Sequence, residues 1–540
     1  MTTFGIDLGT TYSCIARVDD AGRAVVIKNT LGEDLTPSVV FFESADNVVV
    51  GQAAKEVAKS SPDLVVSLIK REMGEELELT FHGETHTPET ISALILRELA
   101  RAAAAETGET VEEVVITVPA YFGVAQREAT RNAGRIAGLN VMDVVPEPVA
   151  AALHYEAMGK GEDRTIFVFD LGGGTFDTTV IRLAGNDVNV VCTDGDHHLG
   201  GVDWDDKIAD FFLARFLDEY PDSAAGDDEE FRQDLALAAE RLKKQLSSTQ
   251  SRRHPMRFDG RSCTAELTRA QFEAMASDLL ERTMNITART VETAKKAGIS
   301  SFDEVLLVGG SSRVPAVAAM LRERFEFEPR MLDPDLAVAK GAALFALIES
   351  VKIALPDAEG GAEPEVSDAK VEDVANRLGI TVEKVRQLAA KSVTTVVPRA
   401  FGILNTRLDE NEQEIHSIFH ILEANRPLPA SPDTQQFYTV YPDQVAIRIE
   451  IWEQAGAVSS SDLADNNKIG QGTITGLPPL PRNSPLDVTF KMNEMGLLRV
   501  DAVELKTGKK LNMELQIQGV MSEDQVGKAR SAVARYAVGE

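Results

Sequence analysis

A chain of 540 residues, 44% hydrophobic and 26% charged, has the length for several domains and the composition of soluble globular protein. Its formal net charge of −30 argues against broad binding to nucleic acid or acidic membranes, since both select positive charge. The three cysteines, Cys14, Cys192 and Cys263, lie far apart, form no metal-ligand pattern and read as reduced thiols of a cytosolic protein.

The N-terminal stretch MTTFGID enters a strand at once, without the basic region or long apolar core of a signal peptide. No apolar run reaches membrane-spanning length, so the expected location is the cytoplasm. Residues 4–8 form an apolar strand that delivers Asp7 to a glycine turn at Gly9, followed by the hydroxyl side chains Thr10, Thr11 and Tyr12. Short strands of a meander follow at 24–28, 38–42 and 48–50, and 64–71 reads as a strand or helix end carrying Lys70 and Arg71. Residues 88–105 form an alanine-rich amphipathic helix. Residues 114–118 form a strand that stops at Pro119-Ala120-Tyr121-Phe122, and 126–137 form a helix closed by Gly138. The apolar stretch 141–145 leads to Glu147 at the start of the next helix. A carboxylate there can accept hydrogen bonds from metal-bound waters, or simply complement the helix dipole.

The central stretch is Asp170-Leu171-Gly172-Gly173-Gly174-Thr175, entered directly from the β-favouring run 166–169. Three glycines let backbone N–H groups approach an anion, Thr175 adds a hydroxyl donor, and Asp170 and Asp177 could hold a hydrated Mg²⁺. The competing reading is a glycine-rich hairpin in an unrelated sheet. The logic repeats that of the Asp7 hairpin, and a third glycine turn, Gly309-Gly310-Ser311-Ser312-Arg313, follows the apolar run 305–308. Together they point to two related half-domains facing one nucleotide. Between them lie a further glycine turn at Gly200-Gly201 and a helix over 235–248, on which Glu240, Lys243 and Ser247 share one face. The adjacent His197-His198 has no further ligand spacing to support a metal site.

GIDLGTTYSC, ITVPAYF, DLGGGTFD and LVGGSSR, in this order, closely resemble the ATPase domain of heat-shock protein 70 chaperones of the DnaK type. The resemblance implies a multidomain fold: an actin-like, two-lobed α/β ATPase domain over 1–354, then a mainly antiparallel β-sandwich substrate domain over 392–518. It implies ATP/ADP and Mg²⁺ as cofactors, with Asp7, Glu147 and Asp170 holding Mg²⁺ through waters. Lys70 would position the attacking water, and Thr175 would contact the phosphate. The glycines and hydroxyls at Gly9–Tyr12, Gly172–Gly174, Gly200–Gly201 and Gly309–Ser311 would face the phosphates. Glu240, Lys243 and Ser247 would cradle the adenosine, Arg313 and Asp335 would flank the adenine and ribose, and Pro119 and Arg127 would relay nucleotide state. Ile403, Phe437, Val440, Ile447 and Ile449 would line a peptide groove, although the same residues suit an ordinary sandwich core.

Residues 355–391 depart from the family's short leucine-rich linker. Residues 355–368 are rich in Pro, Gly and acid, and 371–390 read as helix, turn, helix. The wording there resembles a DNA reader, but eight acidic against five basic side chains give the wrong sign for phosphate contact. A helical hairpin for protein contact, acting as a tethered partner or spacer, is expected instead. The β-branched stretch 393–397 suits an extended edge strand and a surrogate linker. Residues 437–453 alternate and carry a turn at Pro442-Asp443, which reads as a β-hairpin. Residues 519–540 hold one helix, 522–536, with a serine N-cap, read as a truncated lid. The implied partners are extended apolar polypeptides, a J-domain co-chaperone and a nucleotide-exchange factor, with neither nucleic acid nor membrane. The expected function is an ATP-dependent chaperone. The alternatives are a nucleotide-gated interaction module and, against the C-terminal sandwich, a sugar kinase or actin-like protein.

Overall fold

The computed structural model describes residues 2–19, 21–158, 163–355, 368–432, 434–456, 458–514 and 520–539. Strand Thr3–Asp7 pairs parallel with Glu113–Val118, which pairs parallel with Asn140–Pro146, and it pairs antiparallel with Tyr12–Val18. A second sheet repeats this plan. Strand Arg164–Leu171 pairs antiparallel with Phe176–Ala184 and parallel with Glu304–Val308, which continues parallel to Pro329–Met331. Each sheet therefore carries one antiparallel hairpin whose turn is a glycine loop, flanked on one side by parallel strands. Central strands buried on both faces read as unbroken apolar runs, which is why VVITV and IFVF stand out in the sequence.

The two sheets form the floors of two lobes. Helix Ala337–Ala354 is apolar all round and lies between them, packed on strand Thr3–Asp7 and on helix Glu147–Met158. At two glycines these elements approach without a side chain between them. A Cβ on Gly5 would collide with the backbone of Ala342 and Ala343, and one on Gly341 would collide with the backbone of Ala150. A small sheet caps the first lobe, with strand order Ala537–Gly539, Asn47–Val50, Val40–Phe42, Val65–Val66. Helices Gly201–Glu219 and Glu229–Leu246 cap the second.

Helices Asp368–Leu378 and Val382–Ala389 form the expected helical pair, but they are not a free spacer. Val371, Val374, Val385 and Leu388 are buried in one core with Ile348, Val351 and Val188 of the second lobe. Lys391 pairs with Glu156 at 2.6 Å. An amphipathic pair this short has little stability alone, so it gains its order by burying its apolar face on the lobe. The acidic stretch expected over 355–368 lies, apart from its end residues, outside the described residues. Strand Ser392–Thr394 then pairs parallel with Asp187–Asp196, extending the second lobe's sheet by one edge strand.

The following strands form two four-stranded sheets. One has the order Glu414–Leu422, Phe401–Leu408, Ile447–Gln454, Asn466–Ile474. The other runs Gln435–Tyr438, Pro485–Met492, Leu498–Glu504, Lys510–Glu514. The hairpin expected over 437–453 is therefore absent. Gln435–Tyr438 and Ile447–Gln454 belong to opposite sheets, and 439–446 is a corner between them. Its backbone bonds run to residues 477–484: Leu477 N donates to Val445 O, Leu480 N to Gln444 O, and Thr439 N to Ser484 O. Alternation reports a half-buried strand but not which neighbour it pairs with.

The C-terminal segment also differs from expectation. Helix Glu523–Val533 lies on helices Val124–Ile136 and Pro88–Thr107 of the first lobe, and Ala537–Gly539 pairs parallel with Asn47–Val50. It does not lie over the sandwich. Val526, Ala529 and Val533 fall on one helix face, and with Tyr536 they complete the first lobe's apolar core. The helix stops before the expected residue 536 because Tyr536 turns inward and Ala537 N donates to Asp46 O, starting the strand.

Candidate functional site

The two glycine hairpins face each other across a cleft of about 800 Å³ between the lobes. Asp7, Gly9, Thr10, Thr11 and Tyr12 line it from the first lobe, with Lys70 and Glu147 at its base. Asp170, Gly172, Gly173 and Thr175 line it from the second lobe, together with Glu240, Lys243 and Ser247 on one helix face. Gly309, Gly310, Ser311, Arg313 and Asp335 complete the wall. Gly174, Gly200 and Gly201 stand just behind it. A Cβ on Gly174 would meet the side chain of Thr10, and one on Gly200 would meet the backbone of Gly174. Gly201 N donates to Gly172 O at 3.0 Å, so these glycines let the two turns nest.

The base of the cleft concentrates negative charge. Lys70 Nζ donates to Glu147 Oε1 at 2.5 Å, both side chains being buried. Thr117 Oγ1 donates to Asp7 Oδ1 at 3.1 Å. Burial, then the Glu147 carboxylate, pushes the Asp7 carboxyl up to about 7. The same two causes, joined by Asp177 and Asp7, raise Asp170 well above the usual carboxylate range. Four acidic groups around one lysine are a set that a cation would stabilise in the ionised form. Among the described residues, no cluster of three or more His, Cys, Asp or Glu is close enough to hold an ion directly. Asp7, Glu147 and Asp170 all line the cleft and are the carboxylates that could hold a hydrated Mg²⁺ here.

Asp177 turns away from the cleft. Burial, then Glu147, raises it to about 8, and it accepts the Tyr121 N–H at 2.9 Å. The His197 and His198 rings are tilted at 47° with centroids 4.2 Å apart, and burial lowers His197 to about 4.

The upper wall is polar and bridges the lobes. Tyr12 Oη donates to Glu240 Oε1 at 2.8 Å, while Lys55 and Lys244 both pair with Glu240 and stand 4.8 and 4.6 Å from the Tyr12 ring centroid. Burial opposes ionisation of Glu240, but Lys55 and Lys244 outweigh it and hold the carboxyl at about 2. Lys243 Nζ is buried and donates to Gly201 O at 2.6 Å and Asp205 Oδ2 at 2.7 Å. Arg71 spans the cleft from below, donating to Gly174 O at 3.0 Å and to Asp203 Oδ2 at 2.6 Å. Arg313 and Asp335 pair at the rim. Lys55, Arg71 and Asp205 escaped the sequence reading. For Arg71 the signal was its place beside Lys70. For Lys55, on the short helix Gln52–Val57, nothing local marked its partner 185 residues away.

Behind the cleft the Pro119–Phe122 turn meets the sandwich. Arg127 braces it, donating to Phe122 O at 3.0 Å and Ala120 O at 3.3 Å. Arg399 of the sandwich, 1% exposed, donates to Tyr121 O at 3.1 Å, lies 4.4 Å from the Tyr121 ring centroid and stands 3.9 Å from Glu453. Glu453 Oε1 accepts the Val124 N–H at 3.2 Å and so caps helix Val124–Ile136, whose own N-cap, Gly123, makes no side-chain bond. Tyr121 Oη donates to Gly456 O at 3.1 Å.

Ile403, Ile447 and Ile449 are 5%, 8% and 3% exposed and belong to the sandwich core. Phe437 and Val440 are half-buried. Phe437 meets Phe419 edge-on at 5.5 Å, and Phe419, Ile415, Tyr438 and Tyr441 are exposed around that region.

A duplicated lobe closing on an acidic, glycine-lined cleft, joined to a two-sheet sandwich, is the architecture of an actin-like domain carrying a β-sandwich partner. A family model described as Hsp70 protein matches residues 3–81, 75–428 and 410–539. The chain belongs to the Hsp70 family. Members of this family are ATPases that bind ATP and ADP with Mg²⁺, act in general as ATP-regulated chaperones, and work with unfolded polypeptides, J-domain partners and exchange factors. No helix among the described residues is long and apolar enough to cross a membrane.

Proposed function

We propose that this chain hydrolyses ATP in the cleft and uses the nucleotide state to control binding of extended apolar peptide segments by the sandwich. Lys70, held by Glu147, positions the attacking water, and Thr175 donates to the transferred phosphate. The backbone amides of the glycine turns receive developing charge without reorganising. Bound Mg²⁺, held through waters by Asp7, Glu147 and Asp170, supplies charge neutralisation on the phosphates. Glu240, Lys243 and Ser247 hold the adenosine, with Arg313 and Asp335 beside it. At the sandwich, Phe437 and Val440 offer partly open apolar contacts for a peptide side chain, while Ile403, Ile447 and Ile449 back them from within. A peptide strand would also gain main-chain bonds.

The observation that carries this reading is the bonded series Asp177–Tyr121–Arg399, which joins the cleft's acidic base to the sandwich. Residues 393–397 act as the linker, with Val393 in register with Val188. Coupling is reciprocal, so ATP weakens peptide binding and peptide shifts ATP affinity by the same factor, typically ~5–150-fold. Val396 and Val397 are buried in two different cores, so charging them would unfold the chain rather than uncouple it. Val393→Asp is the cleaner test. It is expected to remove both affinity shifts, read by fluorescence anisotropy of a Leu-rich peptide with and without ATP, while basal turnover persists. Full ATP-induced release by this variant would sink the linker assignment.

A second reading has its own support. The C-terminal segment rests on the first lobe rather than over the sandwich, which suits a nucleotide-gated interaction module without general chaperone activity. Suppression of aggregation of an unfolded client separates the two.

A further inference from the structure

We propose that residues 521–539 are an intramolecular clasp that ties the exit strand of the sandwich to the first lobe and limits how far the sandwich can move from its docking surface. The sandwich is entered through Ser392–Thr394, a strand of the second lobe's sheet. It is left through Lys510–Glu514, and a few residues later the chain is on the first lobe. Its two ends are thus held by two different lobes. A domain on one linker explores every position that the linker reaches. A domain tethered at both ends explores only positions that both tethers allow, because the second tether keeps its effective local concentration high.

The seat is built for this segment in two ways. The helix buries Val526 and Val533 against the first lobe, as an amphipathic helix does in a groove, and Ala537–Gly539 adds a parallel strand to the edge strand Asn47–Val50. Polar contacts fix the register. Glu523 receives two bonds from Arg135, and Arg97 donates to Val533 O and Tyr536 O. Tyr536 Oη and His86 Nε2 are 3.1 Å apart. The seat includes helix Val124–Ile136, the helix whose N-terminus Glu453 caps from the sandwich. Clasp and sandwich therefore grip one helix from two sides. The clasp also extends the small sheet whose strand Val65–Val66 leads into the Lys70 and Arg71 turn.

The test uses the full-length chain with a donor dye at Ser60→Cys on the first lobe and an acceptor at Lys491→Cys on the sandwich, read as a single-molecule distance distribution with ADP. The full chain is expected to give a narrow distribution, and a chain stopped after Val520 a broad one with a long-distance tail. A synthetic peptide of residues 521–540 should bind the shortened chain without narrowing its distribution, because a free peptide tethers nothing. An unchanged distribution on shortening overturns the proposal. So does narrowing by the free peptide, which would make the segment only a stabiliser of the first lobe. So does a distribution that narrows with protein concentration, which would assign the seat to the segment of a second copy. If the shortened chain does not fold, Glu523→Arg replaces it. That variant should broaden the distribution, and adding Arg135→Glu should restore it. Broadening without restoration counts against the clasp.

Discussion

Lys70 is 5% exposed at its side chain and bonded to Glu147, an arrangement that no local sequence feature announces. A lysine in a short apolar run is ordinarily a surface residue, so its place was legible only through resemblance. The neighbouring Arg71, which ties the first lobe to Gly174 and Asp203 in the second, was passed over for the same reason. Asp7 and Asp170, by contrast, drew notice from the strand–Asp–glycine pattern itself, which repeats at both turns, and the fold sets both in the cleft. Lys70→Ala is expected to lower turnover by about 100-fold or more, the usual cost of removing one group that acts on the transition state. Nucleotide affinity by calorimetry should change only a few-fold. Equal losses in both would make Lys70 a structural partner of Glu147.

At the scale of elements, the helix Glu229–Leu246 is held to the opposite lobe by Glu240, which accepts bonds from Tyr12 and Lys55 there and from Lys244 on its own helix. Hydrogen bonds to charged groups contribute roughly 1.5–3 kcal/mol each, so Glu240→Ala should speed nucleotide release by about tenfold or more in stopped-flow measurements. Release at the parental rate would show that the bridge does not gate the cleft. The helix facing was readable from i, i+3, i+7 spacing, while its partners came from elements that only the fold brings near. The C-terminal segment illustrates the same limit, since an amphipathic helix states that one face is buried but not against what. Its docking also carries a pH signature. Burial holds His86 below its ordinary 6.5, with the Glu84 carboxylate acting in the opposite sense. The unfolded chain then takes up this proton first, so the contribution to stability is whole above pH 6.5 and is lost as pH falls below it. Thermal melting should show a drop between about pH 7 and about pH 5.5 that is smaller in His86→Gln.

In the whole molecule, the sandwich meets the first lobe through a buried arginine and a buried glutamate. Arg399 Nη2 has no hydrogen-bond partner, and burial raises the Glu453 carboxyl while Arg399 lowers it. Removing one member leaves the other buried, so Arg399→Leu and Glu453→Leu should each weaken docking. Together they should cost less than the sum, by roughly 0.5–3 kcal/mol of interaction energy in a double-mutant cycle. Strict additivity would mean that the two act separately. The glycine turns declared themselves locally, whereas the sandwich was read through resemblance, and its one locally read hairpin, 437–453, divides between two sheets. The docking was not legible, because Arg399 and Glu453 look like ordinary surface charges until both are enclosed. The contact of Gly5 and Gly341 with bare backbone has a mechanical consequence. At both points helix Ala337–Ala354 lies directly on its neighbour's backbone, so there is no side chain there to bend aside. A bulkier residue at either glycine would therefore wedge that helix off its neighbour without touching a single residue that lines the cleft.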